Sequence, residues 1–154
     1  MTSLCCDVLK ALAGKTLATA ESCTGGGIGA ALTAVPGSSS VYKGGIISYC
    51  NEIKHKLLGV PEELFRSHGA VSAPVAEAMA EGARQALRTD VAVSVTGLAG
   101  PGGDEFGNPV GTVFVGYSDV CHTVCRKYLF TGDRDSVRTQ AARAALQLIL
   151  DMYK

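Results

Sequence analysis

The chain has 154 residues, enough for one compact domain with its own core and too few for two enzyme domains of ordinary size. With 47% apolar and 18% charged residues it belongs with globular chains and not with disordered ones. Fourteen Lys and Arg balance fourteen Asp and Glu, which removes the basic excess that non-specific nucleic-acid binding requires.

The outlying number is glycine, 19 residues, about 12% against an average near 7%. Only five prolines accompany them, and the glycines bunch between apolar runs, a pattern of backbone that approaches a ligand and not of a linker. The six cysteines are not preceded by a charged segment, an apolar stretch and a cleavage site, so a reducing, cytoplasmic setting is expected. No apolar run approaches the roughly 20 residues that span a bilayer, so no membrane role is expected.

Leu4, Val8, Leu9, Leu12 and Ala13 recur at helical spacing with Gly14 behind them, predicting a helix over 4–13. A strand over 16–20 runs into Glu21-Ser22-Cys23-Thr24-Gly25-Gly26-Gly27 and then a helix from Ile28 to Val35, stopped by Pro36. A strand over 45–50 precedes a short helix over 51–58, a helical turn over 61–65 and an amphipathic helix from Pro74 to Leu87. The valine-rich run 90–96 suits a strand buried on both faces. It ends in a second glycine cluster, Thr96-Gly97-Leu98-Ala99-Gly100-Pro101-Gly102-Gly103. Strands over 110–117 and 123–130 form a hairpin, and Asp133 caps a long final helix whose apolar face includes Val137, Ala141, Ala145, Leu148 and Ile149. The expected fold is a single three-layer α/β/α domain over residues 1–154, with a mixed, mostly parallel sheet of about five strands.

The first glycine cluster stands where open α/β sheets bind ligands, at the carboxyl end of a strand and the start of a helix. The N–H groups of Thr24, Gly25 and Gly26 suit an anion or oxyanion there, while Ser22 or Thr24 suits equally a plain helix cap. Gly25, Gly27 and Ala30 match only a loose dinucleotide fingerprint, with no acidic residue about 20 positions on. Gly14-Lys15-Thr16 resembles the end of a phosphate-binding loop, but leucine occupies position 9, where its first glycine belongs. Lys54 becomes a base for a serine hydroxyl if burial lowers its pKa; otherwise it is a solvated helix lysine. Arg134 and Arg138 oppose the dipole of the last helix, and paired guanidinium groups there suit a phosphate or carboxylate. Cys23 competes with Ser22 as a nucleophile. Cys121, His122 and Cys125 are spaced poorly for a metal, since on a strand His122 faces away from the two thiols.

These segments, with Pro36-Gly37-Ser38-Ser39, Tyr49-Cys50-Asn51-Glu52-Ile53-Lys54, Leu58-Gly59-Val60, His68-Gly69-Ala70-Val71-Ser72, Pro109-Val110-Gly111-Thr112-Val113 and Gly132-Asp133-Arg134, resemble the CinA C-terminal domain family, whose stand-alone members include nicotinamide mononucleotide deamidases. The resemblance covers nearly the whole chain and departs from the family's common pattern at Gly27 and Cys50. It implies an amidohydrolase that converts nicotinamide mononucleotide and water to nicotinic acid mononucleotide and ammonia, with no metal or organic cofactor. By motif position Ser22 is the nucleophile and Lys54 and Tyr49 assist proton transfer. Arg134 or Arg138 binds the substrate, and Ser38, Ser39, Thr96, Gly97, Gly100 and Gly102 complete the nucleotide pocket. A homodimer is expected, and a catalytically silent nucleotide-binding domain is the competing function.

Overall fold

Strand β3 (Val91–Gly97) reads Val-Ala-Val-Ser-Val-Thr-Gly, large and small by turns, and this alternation divides the molecule into layers because successive side chains on a strand point to opposite faces. Val91, Val93 and Val95 join one core with Leu17 of β1 (Leu17–Glu21) and Val113, Val115 and Tyr117 of β4 (Thr112–Ser118). That face is covered by α1 (Thr2–Ala11), α2 (Gly27–Thr33) and α6 (Arg134–Met152). The small residues Ala18, Ala20 and Ala92 face a second core, covered by α3 (Asn51–Leu58), α4 (Glu62–His68) and α5 (Ala73–Leu87). The computed structural model describes residues 1–153.

Five strands form one sheet in the order β2-β1-β3-β4-β5, with β2 spanning Tyr42–Ile47 and β5 spanning Thr123–Leu129. β1 pairs in parallel with β2 and with β3, while β3–β4 and β4–β5 are antiparallel. The fold is thus the three-layer mixed α/β architecture, its four pairings divided evenly. None of the described helices is long and apolar enough to cross a membrane.

Several boundaries differ from the sequence reading, those of β2 and the hairpin link among them. β2 begins at Tyr42, three residues before the predicted start, and ends at Ile47, not Cys50. It is an edge strand with alternating exposure, and Gly44-Gly45 lies inside it. A Cβ at position 45 would stand 2.2 Å from Thr19 Oγ1, so glycine there permits close pairing, although in sequence it reads as a break. The hairpin link is four residues, Asp119 to His122, held by the Asp119 carboxylate accepting from the Cys121 and His122 N–H groups at 2.8 and 3.0 Å. The cap at Asp133 is present, its side chain accepting from Ser136 N at 2.9 Å.

The small-residue face lets α5 lie close to the sheet, where the Ser94 hydroxyl donates to the Ala76 carbonyl at 2.6 Å. Helix α3 is pressed onto α5 in turn: a Cβ at Gly82 would sit 1.9 Å from the Leu58 carbonyl oxygen. Backbone cannot yield as a side-chain tip can, so Gly82→Ala must push the two helices apart. It is expected to lower unfolding free energy by about 1–3 kcal/mol in urea titration, and unaltered stability would show that α3 is not held by this contact.

Candidate active site

Because β1, β2 and β3 run in parallel, their carboxyl ends share one edge of the sheet: Glu21 pairs with Ile47 on one side and Val95 on the other. Three connections meet there, namely the Ser22–Gly26 turn, the 48–51 segment leading into α3, and the 98–111 loop. Together with residues 70–71 they enclose a cleft of about 280 Å³.

Glu21 organises the turn. Its carboxylate, 2% exposed, accepts from Ile28 N at 2.9 Å, Gly29 N at 3.0 Å, the Thr24 hydroxyl at 2.7 Å and the Thr19 hydroxyl at 3.3 Å. It therefore occupies the first turn of α2, where a negative charge is favoured and N–H groups lack partners within the helix. Two expectations change. Neither Ser22 nor Thr24 caps the helix; Gly26 stands at the N-cap with φ +100°, a conformation glycine adopts without strain. The start of α2 is also closed to a ligand anion, since a protein carboxylate already fills it.

Freed from capping, Ser22 turns to Lys54. Lys54 Nζ lies 3.1 Å from Ser22 Oγ and donates to the Ser48 carbonyl at 3.0 Å. The chain of support returns to Glu21, whose carbonyl oxygen accepts from Ser48 N at 2.8 Å. Lys54 is 2% exposed, and burial lowers its pKa below the ordinary lysine value of 10.5. No carboxylate forms an ion pair with it among the described residues. In its neutral form the amine can keep its N–H to Ser48 and accept the Ser22 hydroxyl proton on its lone pair, which is what a general base for a serine requires. The N–H of Thr24 has no hydrogen-bond acceptor among the described residues, and that of Cys23 meets only its own thiol. Cys23 lines the cleft beside Ser22, but burial pushes its thiol up to about 11, which leaves about one molecule in 10⁴ as thiolate at neutral pH and disfavours it as nucleophile.

Ser22, Lys54, Tyr49, Thr96, Gly97, Gly100, Gly102 and Arg134 all line this cleft. Tyr49 stands at the rim, 64% exposed. Its hydroxyl accepts from Arg134 Nη2 at 3.2 Å and bonds to neither Ser22 nor Lys54, so it is placed with the arginine and not in a proton relay. Arg134 also donates to the Gly100 carbonyl, tying α6 to the second glycine loop. The Thr96 hydroxyl donates to the Ala70 carbonyl at 2.8 Å and braces the cleft wall.

The other expected binding residues lie elsewhere. Ser38 and Ser39 form a short 3-10 turn ahead of β2, whose first residue Tyr42 pairs with Leu17 at the start of β1. They therefore sit at the amino edge of the sheet, away from Ser22, because a parallel crossover must return the chain to the opposite edge before the next strand begins. Thr24, Gly25 and Gly26 are absent from the cleft lining. So is Arg138, whose Nε and Nη2 donate to the carbonyls of Cys23 at 2.9 Å and Thr24 at 3.2 Å. His122 pairs with Asp119, and no group of three metal-ligating side chains exists among the described residues. Sequence reasoning missed Glu21, Ser48 and Asn51. Glu21 in the predicted turn immediately before a helix was the available signal, since a carboxylate there can reach back over the first turn.

Fold and site together define an α/β domain carrying a buried serine–lysine pair at the carboxyl edge of its sheet. The chain belongs to the CinA C-terminal domain family, whose model matches residues 2–153. It is similar to a CinA-like protein of Parasynechococcus marenigrum (strain WH8102), 57% identical over 123 residues that make up 79% of this chain and 29% of that protein. The chain spans about a third or less of the length of the curated relatives it matches. Among solved structures it resembles a competence-damaged protein (CinA) superfamily protein from Klebsiella pneumoniae 700603, with TM-score 0.94, 35% identity and coverage of 97% of this chain and 95% of that one. A superfamily protein from Escherichia coli gives TM-score 0.95 at 33% identity, covering 98% and 89%.

Removing the Glu21 carboxylate takes the acceptor from two N–H groups and two hydroxyls. Glu21→Ala is expected to lower unfolding free energy by about 3 kcal/mol or more, and Glu21→Gln by less because the amide oxygen still accepts. Equal stability of Glu21→Ala and the parent in urea titration would contradict the capping role.

Proposed function

We propose that the domain is an amidohydrolase that uses Ser22 and Lys54 to hydrolyse the carboxamide of nicotinamide mononucleotide, releasing ammonia and nicotinic acid mononucleotide. The observation that carries this reading is the 3.1 Å approach of a buried, pKa-lowered amine to a serine hydroxyl inside a cleft. The choice of substrate rests on the family to which the chain belongs and on the make-up of the cleft rim.

In the proposed sequence neutral Lys54 takes the Ser22 proton as Oγ attacks the carboxamide carbon, forming a tetrahedral intermediate. The N–H of Cys23, next to the nucleophile and met only by its own thiol, is suited to the oxyanion. Lys54 then gives its proton to the departing nitrogen, the carbon–nitrogen bond breaks and ammonia leaves an acyl-enzyme. Water, deprotonated by the same amine, attacks the ester carbon, and Ser22 Oγ recovers the proton as the acid is released. Arg134 uses one N–H for the Gly100 carbonyl and one for Tyr49, leaving three of its five donors for the nucleotide phosphate. Tyr49 holds the guanidinium over the cleft and offers its ring to the substrate.

Incubation with nicotinamide mononucleotide, following ammonia and nicotinic acid mononucleotide together, tests the reading. Turnover is expected in the parent. Ser22→Ala should lower kcat by about 10³-fold or more, Lys54→Met by about 10²–10⁴-fold, while Cys23→Ala should retain activity. Because the neutral amine is the working form, kcat/KM should rise with pH through the folded-state pKa of Lys54, with a midpoint below 10.5. Undiminished turnover in Ser22→Ala would remove the nucleophile. Nucleotide binding without ammonia release from the parent would establish the silent binding domain instead.

A further inference from the structure

The guanidinium of Arg138 is directed at the backbone of the nucleophile's own turn. It donates from Nε to the Cys23 carbonyl at 2.9 Å and from Nη2 to the Thr24 carbonyl at 3.2 Å, and a Cβ at Gly25 would lie 3.4 Å from Nη2. The opposite side of the same turn is held by the Glu21 carboxylate, through the Thr24 hydroxyl and the Ile28 and Gly29 N–H groups. The turn that presents Ser22 is therefore clamped between a buried anion that holds the Thr24 hydroxyl and the start of α2 and a cation that holds the Cys23 and Thr24 carbonyls. No ion pair joins the two clamps.

The clamp has an electrostatic consequence. A peptide unit is planar and trans, so its N–H points away from its C=O. Arg138 fixes the direction of the Cys23 carbonyl and so aims the N–H of Thr24 the other way. Gly25 N donates to the Ser22 carbonyl at 3.0 Å, which in the same manner aims the N–H of Cys23. The Thr24 N–H has no acceptor among the described residues, and the Cys23 N–H meets only its own thiol. A charge-assisted bond to a carbonyl also polarises its peptide unit, strengthening that unit's N–H as a donor.

We infer that Arg138 is a positioning residue for nucleophilic catalysis: by holding the Cys23 and Thr24 carbonyls it orients Ser22 and builds the oxyanion-stabilising N–H pair from the backbone of Cys23 and Thr24. The inference rests on Ser22 acting as a nucleophile, as proposed above, but not on the identity of the substrate. Arg134, one helical turn away and lining the cleft, is left as the substrate-facing arginine.

A small fluorophosphonate reports Ser22 reactivity without any nucleotide. In that reaction the Ser22 Oγ–phosphorus bond forms as the phosphorus–fluorine bond breaks, fluoride leaves and the hydroxyl proton passes to Lys54. The labelling rate would be followed by intact-mass spectrometry for the parent, Arg138→Met, Arg138→Lys and Arg143→Met, with thermal unfolding of each alongside. Arg138→Met should slow labelling on the order of 10²-fold, and in nicotinamide mononucleotide turnover lower kcat with KM changed less than about threefold. Arg138→Lys, which can hold one carbonyl but not both, should fall between and carries the comparison if the methionine variant does not fold. Arg143→Met, at an exposed position of the same helix outside the cleft, should label at the parent rate. Labelling of Arg138→Lys and Arg138→Met at the parent rate, or a rise in KM with kcat unchanged, would overturn the inference. A parent that labels at Ser22, with labelling slowed by loss of Arg138, but releases no ammonia from the nucleotide would leave the inference standing and remove the proposed substrate.

Discussion

An amine buried without a carboxylate partner is the constraint on which this domain is built. Lys54 is enclosed by the serine hydroxyl of one strand end and the carbonyl of another, and neither neutralises a charge. Below its folded-state pKa the ammonium is held in a site that disfavours it, so it lowers stability there. That penalty fades as pH rises through the folded pKa and is gone above the unfolded value, near 10.4. A fold that tolerates such a group must hold it by packing, and the close seat of α3 on α5 at Gly82 supplies the support. The same small-residue face that brings α5 to the sheet thus fixes the helix that carries the amine.

The complementary half of the site depends on Glu21. With its side chain it satisfies the start of α2, and with its carbonyl it holds Ser48, the residue whose own carbonyl receives Lys54. One residue thereby sets both the turn that presents the serine and the segment that receives the lysine. The carboxyl edge of a parallel strand pair is what makes this economical: the ends of β1 and β2 are neighbours by topology, so Ser22 and Lys54, 32 positions apart, need only short local turns to meet.

Much of this was legible in the sequence. The strand, glycine turn and helix around Ser22, the helix over 51–58 and the second glycine cluster each carried local signals, and the parallel order made their meeting an expected consequence. Less legible was the direction of each polar group. Ser22 and Thr24 had equal claims to the cap, and only the path of the Glu21 side chain decided that neither holds it. Arg134 and Arg138 lie on consecutive turns of one helix and look equivalent by charge, yet one lines the cleft and the other reaches the backbone beside Ser22. Ser38 and Ser39 carried a family motif but fall at the amino end of β2, where a parallel crossover returns the chain.

The proposed serine–lysine chemistry depends on Lys54 giving up its proton more readily than an exposed lysine. Nitrogen-15 and carbon-13 NMR of the lysine side chains, titrated across the alkaline range, observes that group directly, with Lys54→Met identifying its signal. The Lys54 resonance is expected to titrate below the 10.5 of a free lysine, apart from the exposed lysines of the chain. A Lys54 midpoint at or above the exposed lysines would contradict the account, since the residue would then remain an ammonium and have no lone pair to offer Ser22.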